Sequence, residues 1–286
     1  MGTISTLSDE VITSIKKLIE EKRSEENLRR EFPNPLLRED VLDLLDKYCT
    51  VIYYPLENED NNGFHITGIP DCRGEERHFV FINTAQTTEK QVFTAAHELG
   101  HIWKVDDYVH TQCNLALTDL LREQIINRFA AELLIPEKEF VPVFQLELKK
   151  QTNQDGQITI ANMLKVIVAL MYHFFVPMKA IVYRCFELNL FSRKNVDLLL
   201  GDGALSKNII ESKVNEIIRS SGYIKFQTAS HKKWISGLAE LLDRAEALGA
   251  VSNSKIKKMR QDFSLSQTSS DVQMNEIVEM KTTEGC

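Results

Sequence analysis

The sequence has no basic surplus, no paired cysteines and no long apolar run, and each absence excludes a class of protein. Lys and Arg number 34 against 41 Asp and Glu, a formal net charge of −7. A basic patch is the usual footprint of nucleic-acid binding, so the balance argues against direct nucleic-acid binding. The five cysteines (Cys49, Cys72, Cys113, Cys185, Cys286) are odd in number, widely spaced and form no Cys-x-x-Cys pair. That excludes a disulfide framework and a cysteine-built zinc site. The most apolar window, Val166 to Met171, is soon broken by His173 and Pro177 and is too short to span a bilayer, so no membrane association is expected. Met1 to Ser5 lacks a basic stretch leading into an apolar run, so no signal peptide is expected. Gly2 and Thr6 fit only the loose myristoylation pattern. A reducing cytoplasm is the expected location.

With 286 residues and 43% hydrophobic content the chain can build two modest domains, or one with appendages. Ser8 caps an expected helix over 8–31, with Val11, Ile12, Ile15, Leu18 and Ile19 on one stripe. Phe32-Pro33-Asn34-Pro35 ends it, and a short helix over 36–48 follows. Then the period changes. Cys49 to Leu56, Phe64 to Ile69 and His78 to Asn83 are rich in β-branched and aromatic residues. Short turns join them, which predicts an antiparallel meander of three strands. Thr87 or Thr88 starts a helix to about residue 104. A loop is expected over 105–118, a helix from Asp119 to Leu134, and another over 137–151 interrupted at Pro142.

The fold class is therefore α+β, a small antiparallel three-stranded sheet with helices, followed by a mostly helical C-terminal region. The polar run Gln151 to Gly156 is the best boundary. The expected units are 1–150, a helix-turn-helix-like unit over 151–200, a helical region over 201–263 with a short extended piece near Tyr223 to Gln227, and a disordered tail over 264–286. In the second unit the turn is Phe175-Val176-Pro177. Its second helix offers only Lys179 and Arg184 among apolar residues, so a packing module is preferred to a DNA reader. The apolar stripe from Trp234 to Leu248 and the basic cluster Lys255, Lys257, Lys258 and Arg260 carry no assigned function.

The chemistry sits in His97-Glu98-Leu99-Gly100-His101. Two imidazoles four residues apart on a helix point the same way and can hold one metal ion. Glu98 lies beside that ion without binding it and can take a proton from water. A catalytic site needs a third protein ligand and an open fourth position. The metzincin extension requires Gly at 104 and His at 107, and this chain has Lys104 and Asp107. The third ligand should come from a later helix: Glu123 is the best candidate, Glu132 a weaker one, and Asp119 a further one. Tyr108 and His110 are candidate oxyanion or proton donors, with Tyr172 and His173 behind them. Cys113 is read as a small apolar residue. If the strand Phe79-Val80-Phe81-Ile82-Asn83 lies at the sheet edge, an extended substrate can pair with it.

The run Phe79 to Asn83, then Phe93-Thr94-Ala95-Ala96 into the histidine motif, then Glu123 through Asn127-Arg128-Phe129-Ala130-Ala131-Glu132-Leu133-Leu134-Ile135-Pro136, resembles the ImmA/IrrE family of zinc metallopeptidases. The resemblance covers about 45–140. It implies a zincin-like fold, one Zn2+ per chain with Mn2+ as a substitute, and Glu123 as the third ligand beside His97 and His101. It implies a structural role for Asn127, and a protein substrate, a helix-turn-helix transcriptional repressor whose cleavage releases stress-response or mobile-element genes. The rival reading is a non-catalytic zinc-binding regulator that binds a repressor or DNA through its helical C-terminal region.

Overall fold

The computed structural model describes residues 7–57, 61–70, 76–201, 206–223 and 228–265. Three helices, α1 (Asp9–Ser24), α2 (Glu26–Glu31) and α3 (Asp40–Asp46), precede the strands β1 (Thr50–Tyr54), β2 (Gly63–Pro70) and β3 (Glu76–Asn83). Then come α4 (Thr88–Ile102), α5 (Val105–Cys113), α6 (Asp119–Leu134) and α7 (Glu137–Gln151). The remainder is α8 (Ile160–Phe174), α9 (Met178–Glu187), α10 (Arg193–Leu200), α11 (Lys207–Ser220), the short strand β4 (Trp234–Ile235), α12 (Leu238–Ala247) and α13 (Asn253–Asp262). The expected tail over 264–286 and the extended piece near Tyr223 lie almost wholly outside the described residues.

Local rules explain most of the helices. Ser8 caps α1 by accepting from the Val11 amide, and Val11, Ile15, Leu18 and Ile19 are its buried stripe. The single helix expected over 8–31 is two, because Glu25 is extended (φ −55°, ψ 128°). The loop expected after residue 104 is mostly helix. Lys104 turns the chain in the left-handed region (φ 51°), and Val105 and Val109, four apart, are fully buried under α5. Pro142 sits inside a continuous α7.

The sheet differs from the expected meander. It has four strands in the order β2-β3-β1-β4. β1 runs parallel to β3, from Thr50 opposite Phe79 to Tyr54 opposite Asn83, while β2 is antiparallel to β3. The stretch between β1 and β3 carries β2 to the outside and so acts as the crossover that a parallel pair requires. Two corrections follow. The sheet is mixed, not antiparallel. Phe79 to Asn83 is not an open edge, because β3 is flanked on both sides; the outer strand on that side is β2.

The other edge is closed by the C-terminal region. Ile235 and Trp234 pair with Ile52 and Tyr53 of β1. The Ser236 hydroxyl accepts from the Val51 amide at 2.7 Å. The preceding residues strap the start of α4: Thr88 donates to the Thr228 carbonyl at 3.1 Å, and the His231 amide donates to the Thr84 carbonyl at 2.9 Å. Thr87 has no side-chain cap bond, so the strap satisfies an amide that a free helix start would leave open.

Asp46 lies under this strap with one carboxylate oxygen buried and unpartnered. Burial, then Asp43, raise its carboxyl to about 6, against Lys232 and Ser236, which lower it. Its unfolded value is about 3.9, so the native state holds the extra proton between the two. The stability it contributes is present below about pH 4 and lost as the pH rises through about 6. Asp46→Asn is therefore expected to raise the Tm at pH 7.5, with a smaller gain at pH 4.5. Melting curves at both values check this, and a gain that does not grow with pH counts against it.

The helices α8 and α9 are bent by 102° about Phe175, which is left-handed (φ 56°). No single helix among the described residues is long and apolar enough to cross a membrane. A DNA-reading helix exposes its basic residues. In α9 only Lys179 is exposed: Arg184 is fully enclosed, and Ala180, Ile181, Val182 and Cys185 are buried. Of the C-terminal stripe, Leu242 is buried while Leu241 and Leu248 are exposed. In the basic cluster Arg260 is buried and pairs with Asp243, and the lysines point to solvent.

Candidate metal centre

The site is built where α4 crosses α6. Gly100 permits that crossing: a Cβ there would stand 2.9 Å from Phe129 Cδ1 and 3.2 Å from Ile126 Cγ2. Both partners are fully buried, and Phe129 is wedged edge-on against Trp103, so neither can yield cheaply. The close approach lays the first turns of α6 beside His97 and His101. Thr118 caps α6 by accepting from the Leu121 amide at 3.2 Å, and Arg122 bonds Asp106 and Asp107 of α5.

His97 Nε2 and His101 Nε2 lie 3.2 Å apart. Glu123 places Oε2 at 3.4 Å from the first and Oε1 at 3.6 Å from the second. The three residues offer donor atoms that all lie within 4.8 Å of one another, and among the described residues no other His, Cys, Asp or Glu joins them. A tetrahedral zinc ion with Zn–N bonds of about 2.0–2.1 Å holds two nitrogens roughly 3.3 Å apart, so the residues fit such an ion. Asn127 fixes the first imidazole. Its Oδ1 is 3.2 Å from His97 Nδ1, and its amide nitrogen donates to the Glu123 carbonyl at 2.8 Å. Burial, then His101, hold the pKa of His97 below the ordinary imidazole value, against Glu123 and Asn127. The neutral ring is the form that binds metal.

Glu98 is buried beside this cluster, whereas Glu123 is exposed. Burial, and then the charge of Glu123, push the Glu98 carboxyl up to about 7. Such a group both accepts and releases a proton near neutral pH.

The remaining candidates go elsewhere. Glu132 is buried in an ion cluster with Arg128 and Arg184 and is not at the metal group. Asp119 is exposed in the first turn of α6. The Tyr108 hydroxyl faces Glu21 of α1 at 3.5 Å, and His110 Nδ1 lies 2.6 Å from the Leu115 carbonyl. Tyr172 stacks on Tyr223, His173 sits edge-on to Phe174, and Cys113 faces Ser14. The ring that does neighbour His101 is one the sequence reading passed over: His65 of β2, 6.4 Å away between ring centres. Gly63 allows β2 to lie there, since a Cβ would be 2.4 Å from the Phe81 carbonyl oxygen and 2.7 Å from Thr94 of α4. Strand alternation was the available signal, because His65 points away from the face shared by Phe64 and Ile66.

The histidine pair on α4 and the carboxylate from α6 share the residue pattern of HExxH metal sites. Residues 46–186 form a domain of the ImmA/IrrE family: they match the Peptidase_M78 family, described as the IrrE N-terminal-like domain. No curated protein matches the chain. Among solved structures a Mycobacterium tuberculosis transcriptional regulator aligns at 14% identity and a TM-score of 0.38, over 62% of this chain and 47% of that one. The chain thus spans about half of that regulator's length.

Proposed function

We propose that this protein is a zinc-dependent endopeptidase in which His97, His101 and Glu123 hold the ion and Glu98 is the general base. The observation that carries the reading is a three-ligand cluster with no fourth protein ligand among the described residues, set beside a buried carboxylate. A fourth protein ligand would favour a structural ion, and three with an open position favour catalysis. When bound, zinc supplies Lewis-acid activation of water and of the carbonyl under attack. Glu98 takes the proton of the attacking water and hands it to the leaving amine. Asn127 keeps His97 in one orientation through its Nδ1 side. An extended substrate segment pairs with β2, the outer strand beside α4, in the role first expected of β3. Tyr108 and His110 serve as oxyanion donors only if their present contacts break.

The ImmA/IrrE-type domain over 46–186 supports a protein substrate. We propose a transcriptional repressor of the helix-turn-helix type, cleaved in the cytoplasm, with manganese able to replace zinc. Glu98→Gln is the test. It removes the base and leaves every ligand in place, so cleavage should fall by about 10²–10⁴-fold while zinc content stays at wild-type level. The measurement is a gel of the repressor encoded nearest to this chain, incubated with the zinc-loaded protein and with the variant. Cleavage by the variant at the wild-type rate would sink the assignment of Glu98.

A further inference from the structure

We infer that His65 and His78 form a second imidazole clamp for a divalent transition-metal ion, separate from the His97–His101–Glu123 cluster. The two residues sit on neighbouring strands. His65 is opposite Val80 in the register, and His78 is two residues before Val80 on β3. Side chains two apart on a strand share a face. Both rings therefore stand on the face that carries the buried Val80 and Ile82, the face turned toward α4. His65 Nε2 and His78 Nδ1 converge to 3.1 Å. The pair on α4 converges to 3.2 Å. Either nitrogen of a neutral imidazole can ligate a metal. Both separations are close to the roughly 3.3 Å that one tetrahedral zinc ion imposes on two imidazole nitrogens.

The backbone holds this geometry before any ion arrives. The two histidines are anchored by a paired strand ladder, and both are half-buried. Borderline ions that favour imidazole, Zn2+, Co2+ and Ni2+ among them, are the class such a pair selects. Two protein ligands leave the other positions to solvent. The pair also lies beside the first cluster, with the His65 ring 6.4 Å from that of His101, so one bound ion repels the other. The second ion thus binds more weakly than the first. A plain imidazole–imidazole hydrogen bond explains the same 3.1 Å with a single shared proton, and it is the reading the experiment must defeat.

The experiment counts ions. The full chain is stripped with a chelator and dialysed to equilibrium against graded Zn2+ or Co2+. Wild type is expected to bind two ions per chain, one tightly and one weakly. His65→Gln and His78→Gln each lose only the weak ion, and Glu123→Ala loses only the tight one. Should the glutamine variants fold poorly, wild-type protein with 15N-labelled histidine decides: the His65 Nε2 and His78 Nδ1 resonances shift with the second equivalent. The inference is overturned by a single ion in wild type with those resonances unmoved, or by a weak ion that survives both glutamine substitutions. Wild-type protein that binds no tight ion, with a weak one still dependent on His65, would instead refute the peptidase reading and leave the clamp standing.

Discussion

Replacing Glu123 by alanine is expected to lower zinc affinity by more than about 100-fold, the upper end of what loss of an outer-shell partner costs. The carboxylate is the anionic member of the cluster, its two oxygens 3.4 and 3.6 Å from the two imidazole nitrogens. Without it the ion keeps two neutral protein ligands on one helix. The fold should not suffer, because Glu123 is exposed and the buried face of α6 begins at Ile125. Asn127→Ala belongs to the same series with a smaller effect, about 10–100-fold, since Asn127 only orients His97. Asp119→Ala should change nothing, as Asp119 is exposed and outside the metal group. Competition for zinc against a chromogenic chelator measures all three. Wild-type affinity in the Glu123 variant would show that the third ligand has been misassigned.

The candidate site was legible in the sequence to the extent that it is local. His97 and His101 share a helix face by the helical repeat alone, and Glu123 lies in the first half of the next long amphipathic run. What one sequence could not separate was Glu123 from Asp119 and Glu132, which occupy the same helix. The choice depends on where α4 and α6 touch, and that is set by the missing Cβ at Gly100 against Phe129. The sheet was less legible. Strand composition located β1, β2 and β3, but pairing is long-range. Nothing near Tyr54 says that the chain skips a place and that β3 returns parallel to β1. β4 is two residues long and joins β1 from more than half the chain away, so it has no periodicity to detect. His65 was missed for a related reason: its neighbours belong to β3 and α4, not to its own segment.

The distinction between Glu123 and Glu132 yields the second large effect, on stability instead of metal. Glu132→Ala should destabilise the fold by about 3–5 kcal/mol, the usual cost of leaving a buried charge without its partner. Arg184 of α9 is fully buried. It reaches Glu132 of α6 with Nη1 at 2.9 Å and Nη2 at 2.7 Å, and its Nε donates to the Ile135 carbonyl at 3.0 Å. Arg128 adds two more bonds to the same carboxylate and pairs with Glu187 at 2.8 Å. Burial pushes the Glu132 carboxyl up, but Arg184 and Arg128 outweigh it and hold the pKa below the ordinary glutamate value. The cluster ties the helix that carries the candidate ligand to the C-terminal helical pair. Removing the carboxylate leaves two guanidinium groups with Glu187 as their one acidic partner in the cluster. The Tm should fall by roughly 10 °C. Zinc affinity, measured below the melt, should stay at wild-type level, because Glu132 is not part of the metal group. The apolar pair Glu132→Leu with Arg184→Met should recover much of the loss, since replacing both partners removes the uncompensated charge. A variant that kept its Tm and lost its zinc would reverse the assignment and make Glu132 the ligand.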